Sequence, residues 1–367
     1  MSPLAKRTVG ANSSAAGSVE KSPRHFTHLK DFTPAEFTAL ADFALALKKS
    51  HPANAPLAGK SLAFCYMNPS LRTQVSSEVA TASLGGHPIT LSLGGSGTWG
   101  MESVEGVVMD GAAAEHLKEA VPVLGRFCAA LGLRSFPAGT SWEEDKKELA
   151  LTAFRKYSTV PVINLESASG HPCQALADLA TIQERFAPKK KNFLLAWAPH
   201  VKALPMAVPN SAVEMASMAG MNVTIARPAG YDLDPAVMAR VQAHCAASGA
   251  ALRVTDDVPA AYAGQHVVYA KSWGSIAQYG KPPSSDAAFR AKWMVTAAKM
   301  RKTNDALFMH CLPVRRNLVV ADEVLDGPWS VVIDEAENRL HAAKAVLLHL
   351  LAPKLKTPTA ASRRHAR

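Results

Sequence analysis

Hydrophobic and polar positions along this chain change their period repeatedly. FTPAEFTALADFALALKKS (32–50) carries apolar residues at helical spacing, with Thr33 placed to cap and Pro34 at the first helical position. GKSLAFCYM (59–67) reads as a buried strand, SSEVATASLGG (76–86) as a helix ending on glycines, and HPITLSL (87–93) as a second strand. The Gly/Ser-rich loop GGSGTWG (94–100) interrupts the pattern. EHLKEAVPVLGRFCAALGLRSF (115–136) predicts a helix and then a strand, and VPVINL (160–165) closes this first set.

After a short loop the alternation restarts. HPCQALADLATIQERF (171–186) is a helix, NFLLAWA (192–198) a strand, SAVEMASMAG (211–220) a helix and MNVTIARP (221–228) a strand. A helix near 234–249, strand ALRVT (251–255), helix VPAAYAG (258–264) and strand HVVYA (266–270) follow. LFMHCL (307–312) and SVVIDEA (330–336) are expected as the last strands, before the amphipathic helix 337–354. Strands separated by helices argue for parallel sheets covered on both faces. The fold class is therefore α/β, in two domains divided near 165–171. Their expected spans are 25–168 and 169–339, between basic tails at 1–24 and 355–367.

Length and composition agree with two domains. The chain has 367 residues, 48% of them hydrophobic. No apolar run approaches the ~18 residues of a membrane span. The net charge of +10 invites a nucleic-acid reading, but its distribution removes it. Residues 1–25 carry +3 and residues 352–367 carry +5, leaving about +2 for the body. No basic face and no nucleic-acid-binding signature accompanies that charge. Cys65, Cys128, Cys173, Cys245 and Cys311 are scattered and odd in number, which fits neither a disulfide framework nor a zinc site. A cytoplasmic setting is expected, with no metal, no cofactor and no membrane or nucleic-acid partner. The N-terminal segment has no apolar stretch of secretory length and resembles a transit peptide only faintly, so both tails are expected to be disordered.

Chemistry concentrates at three strand ends. In YMNPSLRTQV (66–75), Ser70 is placed as an N-cap, with the N–H groups of residues 71–73 pointing outward. Arg72 adds a forked cation, and Ser70 and Thr73 add hydroxyls. That describes a phosphate cradle, though the same residues taken alone describe an ordinary capped helix. It is not a Walker loop, which needs GxxxxGK[ST]. HPCQ (171–174) opens another helix with His171 as a donor or relay and Gln174 as a two-way amide, although a lone His there is more often a cap. HCLP (310–313) follows an apolar strand. Cys311 reads as a buried small hydrophobe rather than a nucleophile. Leu312–Pro313 is a candidate cis bond, which X–Pro makes accessible at ~0.5–1 kcal/mol.

Together these segments resemble one family, the transcarbamylases, which move a carbamoyl group from carbamoyl phosphate to an amine. SLRT is similar to their SxRT loop, HPCQALAD to HPxQxLxD, and HCLPVRR to their HCLP loop. The similarity runs over about residues 25–352. The chain departs at Gln74-Val75, where many members continue with Arg-Thr or Arg-Val. WAPHVKALPMAVPNS, YAKSW, FMHCLPVRRN and DEAENR further resemble the N-acylornithine branch, whereas the SMG loop of free-ornithine members is not found. The resemblance implies that the C-terminal helix, about 340–354, packs back on the first domain. It implies carbamoyl phosphate contacts at Ser70, Leu71, Arg72, Thr73, Trp99, Arg134, His171, Pro172, Cys173, Gln174, Cys311, Leu312 and Arg339. It places the acylornithine at Glu166, Lys271 and Leu312. Trp99 would reach the neighbouring subunit's site, implying a homotrimer.

The implied catalytic residues are Arg72, Arg134 and His171. Arginines neutralise phosphate, His171 donates to the oxyanion, and neither metal nor protein nucleophile is required. Two rivals stand beside this reading. A nucleotide-dependent dehydrogenase would need a GxGxxG turn after NFLLAWA, which is missing. An inactive anion-binding module would not require the full residue set. Acetyl-specific members carry a glutamate where this chain has Ala114 and a lysine where it has Val319. Pro205 and Pro209 also resemble the succinyl branch. N-succinyl-L-ornithine is therefore the expected acceptor, with N-acetyl-L-ornithine and free ornithine as alternatives. Arg315 and Arg316 are open candidates for the distal carboxylate.

Overall fold

Ser61–Tyr66 forms the buried strand β1 of the computed structural model, which describes residues 23–355 apart from 51, 53 and 94–98. It follows helix α1 (Pro34–Lys49), whose start is fixed as the sequence reading expects. Thr33 Oγ1 accepts the Glu36 N–H at 3.2 Å, and the Glu36 carboxylate accepts the Thr33 N–H at 2.9 Å. Such a capping box is worth about 1 kcal/mol. Helix α2 (Leu71–Ser83) ends beside Gly85, whose φ of +82° no branched residue would hold. Then come β2 (His87–Ser92), β3 (Met101–Glu102), β4 (Glu115–His116), α3 (Leu117–Phe127) and β5 (Ala130–Arg134). Helices α4 (Trp142–Asp145) and α5 (Leu149–Tyr157) precede β6 (Val162–Glu166).

The second set runs α6 (Pro172–Arg185), β7 (Asn192–Trp197), α7 (Ala207–Met218), β8 (Asn222–Ala226) and α8 (Pro235–Ser248). It continues through β9 (Leu252–Thr255), α9 (Val258–Tyr262), β10 (Val267–Lys271), α10 (Ala287–Trp293), α11 (Ala297–Met300) and β11 (Leu307–Met309). The last elements are α12 (Asp322–Leu325) and α13 (Val332–Leu351). Two sheets result, ordered β2-β1-β5-β6 and β11-β10-β7-β8-β9, and every pairing within them is parallel. Helix α13 packs on α1, α2 and α6, so the C-terminus returns to the first sheet's side of the molecule. No helix among the described residues is long and apolar enough to cross a membrane.

Four expectations are corrected. The strand expected at 330–336 is the beginning of α13, and only Ser330 bridges to Phe308. Val332, Glu335, Asn338, Arg339 and Ala342 are buried while Ile333 is 72% exposed, so burial there follows the helical period. Asp334 and Glu335 favour the helix N-terminus, and the β-branched run VVI is too short to decide by itself. The strand expected over 307–312 stops at Met309, freeing His310–Pro313 from the ladder. Glu115 and His116 pair with β3, so the helix expected from 115 begins at Leu117, capped by His116 accepting the Lys118 N–H at 3.0 Å. Helix α7 starts at Ala207, ahead of the expected 211, because Pro209 is tolerated in a first turn. The tails expected to be disordered lie outside the described residues, apart from Pro23, Arg24 and Leu355, as does most of the 94–100 loop.

Candidate active site

Each sheet reverses its winding direction at one place. In the first sheet the chain steps from β1 to β2 on one side and returns to β5 on the other, pairing Tyr66 with Arg134 at the carboxyl ends. In the second, β8 and β9 lie to one side of β7 and β10 and β11 to the other, pairing Trp197 with Lys271. Such switch points are where open parallel sheets leave a crevice. One cleft of about 700 Å³ is lined from both.

From the first set come Ser70, Leu71, Arg72, Thr73, Arg134 and Glu166. Ser70 is extended at φ −156° and caps α2 by accepting the Thr73 N–H at 3.3 Å. The outward donors expected at 71–73 are thereby reduced, since that of Thr73 is taken. Arg134 pairs with Glu166 and lies with its guanidinium carbon 4.3 Å from the Phe136 ring centroid. The Arg134 Nε has no hydrogen-bond partner. Arg72 is half-buried, lines the cleft, and has Arg134, Arg339 and Glu166 as charged neighbours.

His171 and Gln174 open α6 and face the same space. The His171 backbone N–H donates to Ser211 Oγ at 2.8 Å, while its ring Nδ1 is buried without a partner. Nε2 lies 3.7 Å from Glu166 Oε2. Burial, then the nearby charges of Arg339, Arg134, Lys271 and Arg72, hold the imidazole well below its ordinary pKa. His171 is thus neutral at pH 7. Pro172 and Cys173, expected with it, stay behind the cleft; Cys173 Sγ faces the Asn164 carbonyl at 3.4 Å.

Arg339 reaches in from α13. Its Nη1 donates to Gln174 Oε1 at 2.6 Å and its Nη2 to Thr73 Oγ1 at 2.9 Å. Lys271, Cys311 and Leu312 close the far side. The Leu312–Pro313 bond is cis, as expected. Leu312 at φ +53° and Glu166 at φ +152° both occupy backbone regions that side chains disfavour, and such residues cluster at ligand sites. Burial raises the Cys311 thiol pKa, which agrees with a small apolar role rather than a thiolate.

Sequence reasoning passed over Phe136, His200, Leu204, Val208 and Val314, which also line the cleft. Of these, only His200 carried a signal, as a polar residue just after β7. It accepts from Arg315 Nε at 3.1 Å. Pro205 lines the cleft too. Arg316 is held on the surface by Asp322 and Asp326, so it is not free to meet a ligand there. Trp99 is 55% exposed and donates to Glu115 Oε2 at 3.0 Å, outside this cleft. Ala114 is exposed and Val319 is buried, and neither lines this cleft.

Comparison with known proteins places these features in company. Residues 24–184 match the family model described as aspartate/ornithine carbamoyltransferase, carbamoyl-P binding domain. Residues 206–350 match aspartate/ornithine carbamoyltransferase, Asp/Orn binding domain. N-acetylornithine carbamoyltransferase of Xanthomonas campestris pv. campestris is 42% identical over 334 residues, 89% of this chain and 98% of that protein. N-succinylornithine carbamoyltransferase of Bacteroides fragilis is 40% identical over 294 residues, 80% of this chain and 87% of that protein. The crystal structure of acetylornithine transcarbamylase complexed with acetylcitrulline superposes with a TM-score of 0.84 at 40% identity. It covers 89% of this chain and 99% of that one. A glutamate-to-proline variant of N-acetyl-L-ornithine transcarbamylase, complexed with carbamyl phosphate and N-succinyl-L-norvaline, gives the same TM-score, identity and coverage.

Proposed function

Since the chain belongs to the aspartate/ornithine carbamoyltransferase family, a family of transferases, we propose that it carbamoylates the δ-amino group of an N-acyl-L-ornithine in arginine biosynthesis. Carbamoyl phosphate is the donor and N-succinyl-L-ornithine the preferred acceptor. The observation that carries this reading is the convergence of Arg72, Arg134, Arg339 and Lys271 on one cleft beside a neutral His171.

The residues divide the work by charge and reach. Arg72, Arg134, Arg339 and the hydroxyls of Ser70 and Thr73 hold the phosphate, near the positive end of α2. His171 donates its N–H to the carbamoyl oxygen, which gains negative charge as the neutral δ-amine attacks carbon. The C–N bond forms, the C–O bond to phosphate breaks, and the leaving phosphate takes the proton the amine gives up, departing as hydrogen phosphate with its charge matched by the arginines. Gln174 and the carbonyls of Cys311 and Leu312 orient the carbamoyl amide. Lys271 meets the α-carboxylate, and Glu166 orients Arg134 and the amine end of the acceptor.

Residues 25–168, with the C-terminal part of α13 from about 340, form the carbamoyl-phosphate half, and residues 169–339 form the acylornithine half. Trp99 enters the site of a neighbouring copy in a homotrimer; its exposure and its place in the glycine-rich loop support this. The succinyl preference rests on Ala114 and Val319, where acetyl-specific members carry Glu and Lys, and on the Arg315–His200 pair at the cleft. An acetyl acceptor is the second reading, favoured by the 42% identity to an N-acetylornithine enzyme. The test is phosphate release from carbamoyl phosphate with N-succinyl-L-ornithine, N-acetyl-L-ornithine, ornithine and aspartate in turn. Turnover with an acylornithine is expected; turnover with ornithine or aspartate alone would overturn the proposal.

A further inference from the structure

Beneath the cleft, two carboxylates meet on one amide. Asp178 on α6 and Glu335 on α13 are both buried, far from each other in sequence. The Gln174 side-chain nitrogen donates to Asp178 Oδ1 at 2.7 Å and to Glu335 Oε1 at 3.3 Å. Glu335 Oε2 accepts the His310 backbone N–H at 2.8 Å, and the His310 ring Nδ1 accepts the Leu312 N–H at 2.9 Å. The pair therefore touches Gln174 on one side and the 310–312 backbone on the other.

The groups facing it are Tyr269 from β10, His310 and Cys311 after β11, and Arg339 from α13. Arg339 directs its donors at Gln174 and Thr73, and among the described residues no cation bonds either carboxylate. Burial holds His310 neutral, so it adds no charge. Two carboxylates sharing one donor away from water repel, and one of them keeps its proton. Asp178 Oδ2 is buried without a hydrogen-bond partner, which adds to the cost of a second charge there.

We propose that Asp178 and Glu335 share a single proton and act as a positioning pair, setting the Gln174 amide and the 310–312 backbone for the carbamoyl group. The second half of that statement rests on the carbamoyl-transfer reading; the first does not. Burial supports it by raising the Asp178 carboxyl to about 6 and the Glu335 carboxyl well above its ordinary range. With its nitrogen committed to the carboxylates, Gln174 presents only its oxygen, as an acceptor for the carbamoyl N–H. As pH rises through the pair's upper value the shared proton leaves, the two charges repel, and both elements lose their setting.

Infrared titration of the ligand-free protein tests the proton itself. A carboxylic-acid carbonyl band is expected to persist at pH 7, where ordinary Asp and Glu have ionised, and to vanish in Asp178→Asn and in Glu335→Gln. Steady-state kinetics test the positioning. Glu335→Gln turns an amide N–H toward a donor and is expected to lower kcat at least tenfold, with a smaller rise in the acylornithine KM. Asp178→Asn, which imitates the protonated carboxyl, is expected to lower kcat less and to abolish the alkaline decline of the native profile. No acid band at pH 7 in the native protein overturns the shared proton, whatever the enzyme's activity. An acid band with native kinetics and an unshifted pH profile in both variants overturns the positioning role.

Discussion

The two walls of the cleft differ in how firmly they are held. On one, Thr73, His171, Gln174 and Arg339 are buried, and Arg339 of α13 bonds both Thr73 of α2 and Gln174 of α6. On the other, His200, Leu204, Pro205 and Lys271 are half-buried, and Arg315 is exposed with one bond to His200. A pre-set wall suits a small ligand whose shape never varies, because no side-chain ordering remains to oppose binding. A loosely bonded wall suits an acceptor whose acyl group differs between enzymes of one fold. Under the proposed function, chemistry falls to the first wall and choice of substrate to the second.

The sharpest way to break this contrast is to compare two arginines on the firm wall. Arg72→Ala is expected to weaken carbamoyl phosphate binding about 10- to 100-fold, since a charge-assisted bond is worth about 1.5–3 kcal/mol. Its thermal midpoint should hardly move, because Arg72 is only half-buried. Arg339→Ala removes a comparable ligand bond and also leaves Thr73 and Gln174 without their donor. Each orphaned buried group costs about 1–3 kcal/mol, so its midpoint should fall by several degrees. Calorimetry beside a binding titration decides it. Equal losses of stability would remove the distinction between a ligand-facing and a wall-building arginine.

A second test asks whether the open wall is completed by another copy. Trp99→Ala and Arg134→Ala are each expected to be nearly inactive. Mixing them under conditions of subunit exchange creates some sites with neither lesion, so activity should return. No recovery, with exchange demonstrated by mass, would confine Trp99 to its own subunit.

Legibility in the sequence follows the same division. The firm wall was written in contiguous motifs at strand ends, where a cap, an arginine and a turn residue stand within a few positions. The partners behind it were not. Nothing local says that Asp178 meets Glu335, because their meeting depends on α13 folding back on α6, and the VVI run before Glu335 reads equally as a strand. On the open wall, Arg315 and Arg316 are indistinguishable as neighbours in HCLPVRRN. The structure separates them through Asp322 and Asp326, which hold Arg316 outside. His200 had only its place just after β7 to mark it in sequence, and its position on the cleft beside Arg315 identifies it in the structure. The helical sets themselves were legible where caps and apolar period agreed, as in α1, and not where helices were of a single turn, as in α4, α11 and α12.

The smallest expected effect concerns the acyl group, and it sharpens the comparison most finely. Succinyl differs from acetyl by a terminal carboxylate, so a cation on the open wall should matter for one substrate only. Arg315 is exposed, and an exposed charge pair contributes up to about 1 kcal/mol. Arg315→Ala is therefore expected to raise KM for N-succinyl-L-ornithine about fivefold, with kcat and the acetyl substrate little changed. Ala114→Glu approaches the same carboxylate from the other sign, by repulsion rather than lost attraction. Within one chain Ala114 is exposed, and water would screen that repulsion to a similar few-fold effect. If a neighbouring copy covers Ala114, the repulsion is felt in a poorly solvated pocket and grows to several kcal/mol. Steady-state rates with both acylornithines, on the native enzyme and both variants, separate these cases. A native preference for the acetyl substrate of about tenfold or more would overturn the succinyl reading while leaving the carbamoyl transfer intact. A larger effect from Ala114→Glu than from Arg315→Ala would instead mean that the open wall is finished by the next subunit.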